Sequence, residues 1–372
     1  MKEGYRQLGE FIRQVDVRNT EGKEENLLGV SVQKVFIPSI ANTVGTDFSK
    51  YKVVKRGQFT YIPDTSRRGD KIGIALLNDC DEGLVSNVYA VFEIEDTNKL
   101  LPEYLMLWFS RPEFDRYARF KSHGSVREIF DWDEMCKVEL PVPTIERQRS
   151  IVKAYQTIND RIELKRKIND NLEAQMEALF DEHVVKAEAF DYNESLDENI
   201  DFINGLAMQN FRPKCNDDAI PVIKIRELTQ GYCDNNSEYC SKSIDETHII
   251  RNGDLVFSWS GSLQAAFWTS QTAGLNQHLF KVQSNKYPMW FVYRWVIHHL
   301  LSFKRIAENK GTTFGHIKRE DLHAAKIKSL NKEKLDILNR VFTPLLKAIV
   351  RNATELHSLM ELQSVLLAQL SR

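Results

Sequence analysis

Two short segments of the chain concentrate side chains that can bind the edges of DNA bases. Ser258–Gly261 has the sequence Ser-Trp-Ser-Gly, and Asn276–His278 has the sequence Asn-Gln-His. An amide side chain can bind adenine through two hydrogen bonds, and an arginine can bind guanine in the same way. These residue types therefore predict sequence-specific contacts with a duplex. The alternative that the sequence leaves open is that each residue only forms a turn.

Two segments in the first half of the chain have matching positions but different side chains. Arg67–Lys71 reads Arg-Arg-Gly-Asp-Lys, and Ser86–Asn87 supplies a hydroxyl and an amide. We interpret this pairing as one scaffold that reads two different base sequences. The predicted base contacts are Arg67, Arg68, Lys71, Ser86, Asn87, Trp259, Ser260, Asn276, Gln277 and His278.

Two basic tracts lead into loops of small residues. Residues 111–127 carry five basic and two acidic residues, and residues 304–319 carry five basic residues and one acidic residue. The whole chain has a net charge of −2 and a pI near 6.5, which argues against nucleic-acid binding by bulk charge alone. Loops with Gly-Ser or Gly-Thr-Thr tips let backbone amides and hydroxyls approach phosphate oxygens. The alternative is a solvated basic face. The predicted phosphate contacts are Lys121, Ser125, Arg127, Lys310, Thr312, Thr313 and Lys318.

The sequence lacks the common signatures of a catalytic site. It contains no GxxxxGK[ST] loop, no strand-linked GxGxxG, no HExxH, no GxSxG and no Asn-Pro-Pro-aromatic motif. The five cysteines include no C-x-x-C pair, which predicts free thiols rather than a zinc ribbon or a disulfide framework. His298–His299 lies in an aromatic segment and predicts packing rather than a metal pair. We therefore predict no catalytic residue, no metal and no cofactor in this chain.

The candidate segments recur because the chain contains an internal repeat. Val53–Tyr61 matches Ile249–Phe257 at an offset of 196, and Pro102–Phe109 matches Pro288–Trp295 at an offset of 186. In the second pair a proline opens an aromatic-rich helix, a position that tolerates proline. Two later matches share an offset of 187: His123–Val126 with Lys310–Thr313, and Trp132–Met135 with Arg319–Leu322. The repeat predicts two globules with the same architecture.

A heptad pattern follows each half of the repeat. Apolar residues recur at the a and d positions from Ile151 onward, and again from Leu338 at the same offset of 187. The predicted helices are Ile145–His183 and Lys332–Leu370, each about 58 Å long at roughly 1.5 Å per residue. We predict that the two helices pair as an antiparallel coiled coil. The alternative is that each helix packs only on its own globule.

Two asparagines interrupt the apolar seams. In an antiparallel pair an a position faces a d position, so the numbers of facing residues have a constant sum. Asn169 at d and Asn352 at a face each other at a sum of 521, which leaves nearly every other layer apolar. Lys165 then faces Leu356, and we expect its stem to cover this leucine and its head to reach solvent. A buried amide pair lowers stability but specifies alignment. We therefore predict that Asn169 and Asn352 fix the register of the helix pair.

These patterns predict an α+β fold with two similar domains separated by two long helices. The longest apolar stretch, Tyr104–Phe109, is too short to cross a bilayer, and the N-terminus lacks the apolar core of a signal peptide. We therefore expect a cytoplasmic protein. The predicted boundaries are residues 1–144 for the first domain, 145–183 for the first helix, 184–330 for the second domain and 331–372 for the second helix.

Taken together, these features resemble the specificity subunit of a type I restriction-modification system. The second half departs from the Pro-x-Pro-x-x-x-x-Gln form of the first, because it has Lys328–Asn331 and Leu335 at that junction. The stretches that carry the resemblance are Val15–Asn19, Tyr51–Lys55 with Gly57 and Phe59, Val85–Ser86, Leu101–Leu105, Gly124–Arg127, Leu140–Pro143 with Glu146 and Gln148, Pro221–Ile225, and Asn276–Gln277.

The resemblance implies that each globule is a target recognition domain for one DNA half-site and that the helix pair is a spacer. It also implies two methyltransferase subunits, which bring S-adenosylmethionine and flip the target adenine out of the duplex. Restriction subunits would bring ATP and Mg²⁺. Two other classes stay open at this stage. A nuclease or methyltransferase would need a clustered catalytic site, and a coiled-coil assembly scaffold would have no affinity for DNA.

Overall fold

A computed structural model describes the chain over most of its length. It divides the chain into two compact units: unit 1 comprises Met1–Asp160 and Leu362–Arg372, and unit 2 comprises Arg161–Glu361. Each long helix therefore contributes residues to both units. The residues described are 4–41, 44–66, 71–123, 128–188, 190–309 and 315–370.

Unit 1 contains ten strands and three short helices among its described residues. The strands are β1 Tyr5–Gln7, β2 Ile12–Val15, β3 Leu27–Val30, β4 Phe36–Pro38, β5 Lys52–Lys55, β6 Phe59–Tyr61, β7 Ile74–Leu76, β8 Glu82–Val85, β9 Ala90–Ile94 and β10 Glu139–Pro141. The helices are α1 Pro102–Phe109, α2 Pro112–Lys121 and α3 Trp132–Cys136, followed by the long α4, Ile145–Phe180, which continues into a π-helical turn at Asp181–Val185.

Unit 2 also contains ten strands among its described residues. The strands are β11 Tyr192–Ser195, β12 Asp201–Asn204, β13 Ala219–Ile223, β14 Tyr239–Ser241, β15 Ile249–Ile250, β16 Leu255–Ser258, β17 Gln264–Phe267, β18 Ala273–Leu275, β19 Leu279–Gln283 and β20 Lys326–Lys328. The helices are α5 Ile225–Gln230, α6 Met289–Asn309, α7 Arg319–Ala324 and the long α8, Lys332–Gln369.

The same sheet topology occurs in both units. Unit 1 has sheets of order β1-β10, β2-β9-β6-β7 and β4-β3-β8-β5, and unit 2 has β11-β20, β12-β19-β16-β17 and β14-β13-β18-β15. Each strand of unit 2 thus has the place of the strand numbered ten lower in unit 1. The pairs β3–β8 and β13–β18 are parallel, and the other pairs of these sheets are antiparallel. The internal repeat predicted from the sequence is therefore confirmed.

The repeat extends to the packing of the small two-stranded sheet. In unit 1 the ring centroids of Tyr5 and Trp108 lie 6.1 Å apart at an interplanar angle of 75°. In unit 2 Tyr192 and Trp295 lie 5.9 Å apart at 74°. Both members of the second pair follow their counterparts at the offset of 187, which corrects by one residue the offset of 186 predicted for the helix that carries Trp108. The edge-to-face geometry is favourable for aromatic rings, so the two cores share both the shape and the orientation of this contact.

The helix after the ninth strand of each unit differs. In unit 1 Pro112 separates α1 from α2, because proline has no amide hydrogen and forces Arg111 out of the helical region. Unit 2 has His299 at the corresponding position, and α6 runs through it without a break. Burial lowers the pKa of His299 to about 4, and its Nε2 lies 3.0 Å from the carbonyl oxygen of Lys326. This environment confirms the packing role predicted for the histidine.

The two long helices pack into the cores of both units and against each other. In unit 2 Phe180 of α4 and Phe342 of α8 belong to one buried cluster, and in unit 1 Leu370 packs with Ile151 and Tyr155. The predicted α+β fold with two long helices is confirmed. No helix in the described part of the chain is both long and apolar enough to span a membrane.

Candidate nucleic-acid interface

Three loops in each unit carry the residues predicted to contact DNA. Loop A follows β6 or β16, loop B connects β8 to β9 or β18 to β19, and loop C precedes α3 or α7. In unit 1 they are residues 62–73, 86–89 and 122–131, and in unit 2 they are residues 259–263, 276–278 and 310–318.

Loops A and C are joined by the same backbone hydrogen bonds in both units. The bonded residues of loop A are related between the units by an offset of 196, and those of loop C by an offset of 187. The bonds are Phe130 N to Pro63 O and Thr65 N to Glu128 O, both 2.9 Å, in unit 1, and Ile317 N to Trp259 O at 3.0 Å and Gly261 N to Gly315 O at 2.9 Å in unit 2. The two loops are therefore held in the same register in each unit.

Loop B forms the same turn in both units. In unit 1 the amide of Tyr89 donates to the carbonyl of Ser86 at 3.0 Å, and in unit 2 the amide of Leu279 donates to the carbonyl of Asn276 at 3.0 Å. The offset between the two turns is 190. A bond from residue i+3 to residue i closes a β-turn, so the side chains at the middle of the two loops leave the backbone at equivalent points.

The loops of unit 2 line an open cavity of about 470 Å³. The ring centroid of Trp259 lies 6.0 Å from that of His278 and 6.4 Å from that of His316, and Ser260 Oγ lies 3.2 Å from His278 Nδ1. The Trp259 Nε1 hydrogen is buried and has no hydrogen-bond partner in the described part of the chain. The structure thus brings the predicted residues Trp259, Ser260 and His278 together. The cavity is lined by Ile225, Trp259, Ser260, Gly261, His278 and His316.

The predicted residues of loop B in unit 2 differ in their exposure. Asn276 is 6% exposed. Its Oδ1 accepts a hydrogen bond from the backbone amide of His278 at 3.2 Å, and its backbone amide donates to the carbonyl of Ile223 at 3.1 Å. Its side chain therefore shapes the turn. Gln277 is half-buried and His278 is exposed, so these two side chains are the accessible part of the predicted set.

The predicted residues of unit 1 that the structure describes lie at the surface. Lys71 and Asn87 are exposed, and Ser86 is half-buried. Ser86 Oγ lies 3.4 Å from Asn87 Oδ1. Arg67, Arg68, Ser125, Arg127, Lys310, Thr312 and Thr313, which were also predicted as contacts, lie outside the described residues.

A buried ion pair anchors loop A of unit 1. Lys34 Nζ lies 2.6 Å from Asp115 Oδ1, and both side chains are 8% exposed. The same carboxylate oxygen accepts a hydrogen bond from the amide of Ile72 at 3.1 Å. Burial lowers the pKa of Lys34, an effect that the Asp115 carboxylate opposes and the positive charge of Lys71 reinforces. Asp115 therefore holds the end of loop A beside an exposed lysine, a role that its place in a basic tract does not suggest.

The basic tract of unit 1 is largely engaged within the protein. The Arg111 guanidinium is 4.2 Å from the centre of the Trp108 ring, and the residue is 4% exposed. Arg119 donates to the carbonyl of Thr65 at 3.1 Å and pairs with Glu128 at 2.9 Å, which ties α2 to loops A and C. The positive charge of this tract therefore overstates the charge available to a phosphate.

Lys121 in unit 1 and Lys318 in unit 2 have different surroundings. Lys121 Nζ lies 3.9 Å from Glu134, and its side chain is 37% exposed. Lys318 is exposed at the N-terminus of α7 and forms no ion pair with a described residue. Lys304 and Arg305 of the same tract are also exposed and unpaired within the described residues. Of the basic residues of these two tracts that the structure describes, those of unit 2 thus carry more uncompensated positive charge.

The helix pair in unit 2 contains a polar network. Asn352 Nδ2 donates to Asn169 Oδ1 at 3.0 Å, and Asn169 Nδ2 donates to the carbonyl of Ile349 at 3.1 Å. The head of Lys165, predicted to reach solvent, instead donates to Asn352 Oδ1 and pairs with Glu355, both at 2.8 Å. Hydrogen bonding by Lys165 lowers the pKa of Glu355. Because residue numbers rise on one helix as they fall on the other, the helices are antiparallel.

Sequence reasoning missed His316 as a candidate. It follows the Gly-Thr-Thr tip, and its only sequence signal was its match to Ile129 at the offset of 187 within the repeat. Among the described residues, no group of three or more His, Cys, Asp or Glu side chains is arranged to hold a metal ion.

Comparison with known proteins identifies relatives of this chain. Residues 11–174 match the family model described as the type I restriction modification DNA specificity domain. The specificity subunit of the type I restriction enzyme MjaIX from Methanocaldococcus jannaschii is 23% identical over 296 residues, which are 73% of this chain and 68% of the relative. The EcoBI specificity subunit from Escherichia coli is 29% identical over 153 residues. That match covers 39% of this chain and 31% of the relative.

Two further comparisons agree with this result. The HindI specificity subunit from Haemophilus influenzae is 30% identical over 131 residues, which are 35% of this chain and 28% of the relative. The chain thus spans less than a third of the length of the EcoBI and HindI subunits. A crystal structure of a type I S subunit from M. genitalium superposes with a TM-score of 0.58 at 14% identity, over 99% of this chain and 96% of that one. At this identity the superposition shows a shared fold.

Proposed function

We propose that the chain is a specificity subunit of a type I restriction-modification system and that its two units each read one half of a bipartite DNA site. One observation carries this proposal: the two units repeat the same strand order and the same loop hydrogen bonds, yet place different side chains at equivalent loop positions. A duplicated scaffold with different exposed side chains suits the reading of two different sequences. A specificity subunit recognises DNA and is not the catalytic subunit.

The proposed domain division follows the repeat. The domains meet the spacer helices at the start of α4 and α8, six residues before each heptad pattern begins. The first target recognition domain is assigned to residues 1–144, the first spacer helix to 145–183, the second domain to 184–330 and the second helix to 331–372.

The proposed DNA contacts combine base reading with phosphate binding. Loops A and B supply the base contacts, and loop C supplies the phosphate contacts near its small-residue tip. The exposed members in the described residues, such as Lys71, Asn87, His278 and Lys318, support this division because they are accessible to a duplex. We assign the same roles to Arg67 and its neighbours by their place in the repeat.

The proposed partners are two methyltransferase subunits and restriction subunits. The methyltransferase subunits would bring S-adenosylmethionine and extract the adenine, and the restriction subunits would bring ATP and Mg²⁺. This chain would choose the duplex that they act on. In this arrangement the pair of Asn169 and Asn352 fixes the alignment of the helices and thereby the separation of the two half-sites.

Mapping N6-methyladenine in the DNA of cells that express this chain with its cognate methyltransferase tests the proposal. We expect a bipartite, asymmetric motif that is absent when this chain is omitted. Replacing His278 with alanine should change only one half of the motif, because loop B of unit 2 belongs to one reader. A simultaneous change in both halves would contradict the assignment of one half-site to each unit.

The same experiment separates the proposal from the second candidate, a coiled-coil assembly scaffold. A scaffold would leave the methylated sequence unchanged when loop residues are exchanged. Direct binding of a duplex with the mapped motif, compared with a scrambled duplex of equal length, provides a second measurement. No measurable affinity for either duplex would favour the scaffold, and equal affinity for both would contradict sequence-specific reading.

A further inference from the structure

Three positions in the loops are structurally equivalent between the units and occupied by different residues. The hydrogen bonds between loops A and C align the first and third positions, and the loop B turn aligns the second. The strands before these loops have the same register, since Tyr61 pairs with Ala90 and Phe257 pairs with Phe280. The equivalent positions pair Pro63 with Trp259, Val88 with His278 and Ile129 with His316.

In unit 2 the three positions form one surface. Trp259, His278 and His316 line the same cavity, and the two imidazole rings lie within 6.4 Å of the tryptophan ring. An imidazole ring can donate and accept hydrogen bonds, which suits the polar edge of a base. The loop geometry therefore presents these three positions together on one side of the unit.

In unit 1 the same positions are apolar. Val88 is 65% exposed and Ile129 is 43% exposed, although both are β-branched residues that pack well when buried. Pro63 of loop A, whose carbonyl accepts the hydrogen bond from Phe130 of loop C, occupies the position of Trp259 and has no side-chain hydrogen-bonding group. The one apolar group that the major groove of DNA presents is the C5-methyl of thymine. The other base edges in that groove offer hydrogen-bond donors and acceptors.

We propose that Val88 and Ile129 bind the C5-methyl group of thymine in the half-site read by unit 1, while His278 and His316 bind polar base edges in the other half-site. This inference rests on the proposed function, and it adds the residues and the chemical group that distinguish the two readers. The inference depends on the equivalence with the histidines, because the shared loop backbone places Val88 and Ile129 where unit 2 has His278 and His316. The two apolar side chains are already at the surface and need no rearrangement to reach a duplex.

Substitution of deoxyuridine for thymidine tests the proposal, because uracil lacks only the methyl group. The complex of this chain with its methyltransferase is titrated with duplexes that carry the mapped motif and a single deoxyuridine at each thymidine in turn. The half-site of unit 1 is the half that His278→Ala leaves unchanged. We expect at least one substitution in this half to weaken binding about fourfold, the effect of losing one buried methyl group.

Two variants connect that effect to the named residues. Val88→Ser and Ile129→Ser each remove the methyl groups of the side chain and leave a small hydroxyl in their place. At least one of them should bind the thymidine and deoxyuridine duplexes equally, with unchanged response to substitutions in the other half. His316→Ala serves as the matched variant in unit 2 and should keep the preference for thymidine.

The outcomes distinguish this inference from the proposed function. If the wild-type complex prefers the motif over scrambled DNA but binds every deoxyuridine duplex of the unit 1 half as tightly as thymidine, the thymine contact is wrong and the two-reader function stands. If the weakening occurs but persists in both the Val88 and Ile129 variants, other residues make the contact. If the complex does not prefer the motif at all, the proposed function itself fails.

Discussion

Units 1 and 2 can be compared position by position, both in their aromatic packing and in their loops. The aromatic pair Tyr5–Trp108 and its counterpart Tyr192–Trp295 keep the same residue types, the same burial of the tryptophan and nearly the same geometry. The exposed loop positions keep the backbone hydrogen bonds but not the side chains. Core positions are constrained by close packing, whereas surface loops tolerate change. The comparison shows how one scaffold can carry two surfaces with different side chains.

Loop A differs most between the units. In unit 1 it has a longer segment between strands, and Asp115 anchors its end through the Ile72 amide and the buried Lys34. In unit 2 the loop is short, and Ser260 contacts His278 of loop B directly. A longer loop needs an anchor because ordering each residue costs conformational entropy. The two units therefore hold the described ends of loop A by different contacts.

The largest expected effect comes from breaking the shared core contact. Trp295→Ala and Trp108→Ala should each lower the free energy of unfolding by about 3–5 kcal/mol, because each removes a large buried ring. Urea unfolding followed by circular dichroism measures the change. Tyr192→Phe is the control, since it keeps the edge-to-face ring contact. A decrease from Trp295→Ala no larger than that of the control would show that the aromatic pair does not support the scaffold.

Gly205 of unit 2 offers the next test, because a substitution there would push on the backbone of loop B without changing any side chain of that loop. A Cβ atom at Gly205 would overlap the carbonyl oxygens of Leu275 and Asn276. Gly205→Ala should lower the free energy of unfolding by about 1–3 kcal/mol and weaken recognition of the second half-site. Gly29→Ala is the control, because the nearest atom to its Cβ would lie 3.6 Å away. Equal stability of the two variants would contradict the close approach.

The repeat and the long helices could be predicted from the sequence because burial imposes a period on residue types. Apolar residues at heptad spacing predicted α4 and α8, and matched segments predicted two similar units. The burial and the contacts of individual polar residues could not be predicted in this way. Arg111 was counted with the basic tract, yet it is buried against Trp108. Charge in a sequence does not show which aromatic ring or carboxylate lies beside it.

The candidate site could be predicted only in part, because residue type alone does not show which side chains lie together. Trp259 and His278 were identified by residue type, and the structure brings them together with His316. His316 could not be selected beforehand because single histidines are common, and only the loop hydrogen bonds show its equivalence to Ile129. Lys165 shows the converse, since the heptad pattern placed its head in solvent and the structure places it on Asn352.

The helix pair allows a test of intermediate size within unit 2. Asn352→Leu should lower the free energy of unfolding by about 1–3 kcal/mol, because it removes a hydrogen-bond partner from both Asn169 and Lys165. The double variant Asn169→Leu with Asn352→Leu should be destabilised by less than the sum of the two single changes, since no amide is then left without its partner. Urea unfolding of the four proteins gives the coupling energy.

The same variants report on register. The double variant should give motifs with more than one spacing between half-sites in the methylation map, because apolar layers allow alternative alignments. Strictly additive changes in stability, or a single unchanged spacing in the double variant, would show that the two asparagines do not set the alignment.

The smallest effect distinguishes the phosphate contacts of the two units. Lys318 has no ion-pair partner in the described residues, whereas Lys121 lies 3.9 Å from Glu134. The logarithm of the binding constant decreases linearly with the logarithm of the salt concentration. If both lysines bind phosphates, this dependence should become less steep by about 0.9 for each phosphate that a variant no longer neutralises. Lys318→Ala should show most of that change, and Lys121→Ala less, because Glu134 already neutralises part of its charge.

Binding of a fixed duplex between 50 and 200 mM salt, roughly the range over which such contacts act, measures both slopes. Glu134→Gln is the matched variant, and by releasing Lys121 it should make the slope steeper. A slope that none of the three changes affects would place these lysines on a solvated face, away from the DNA.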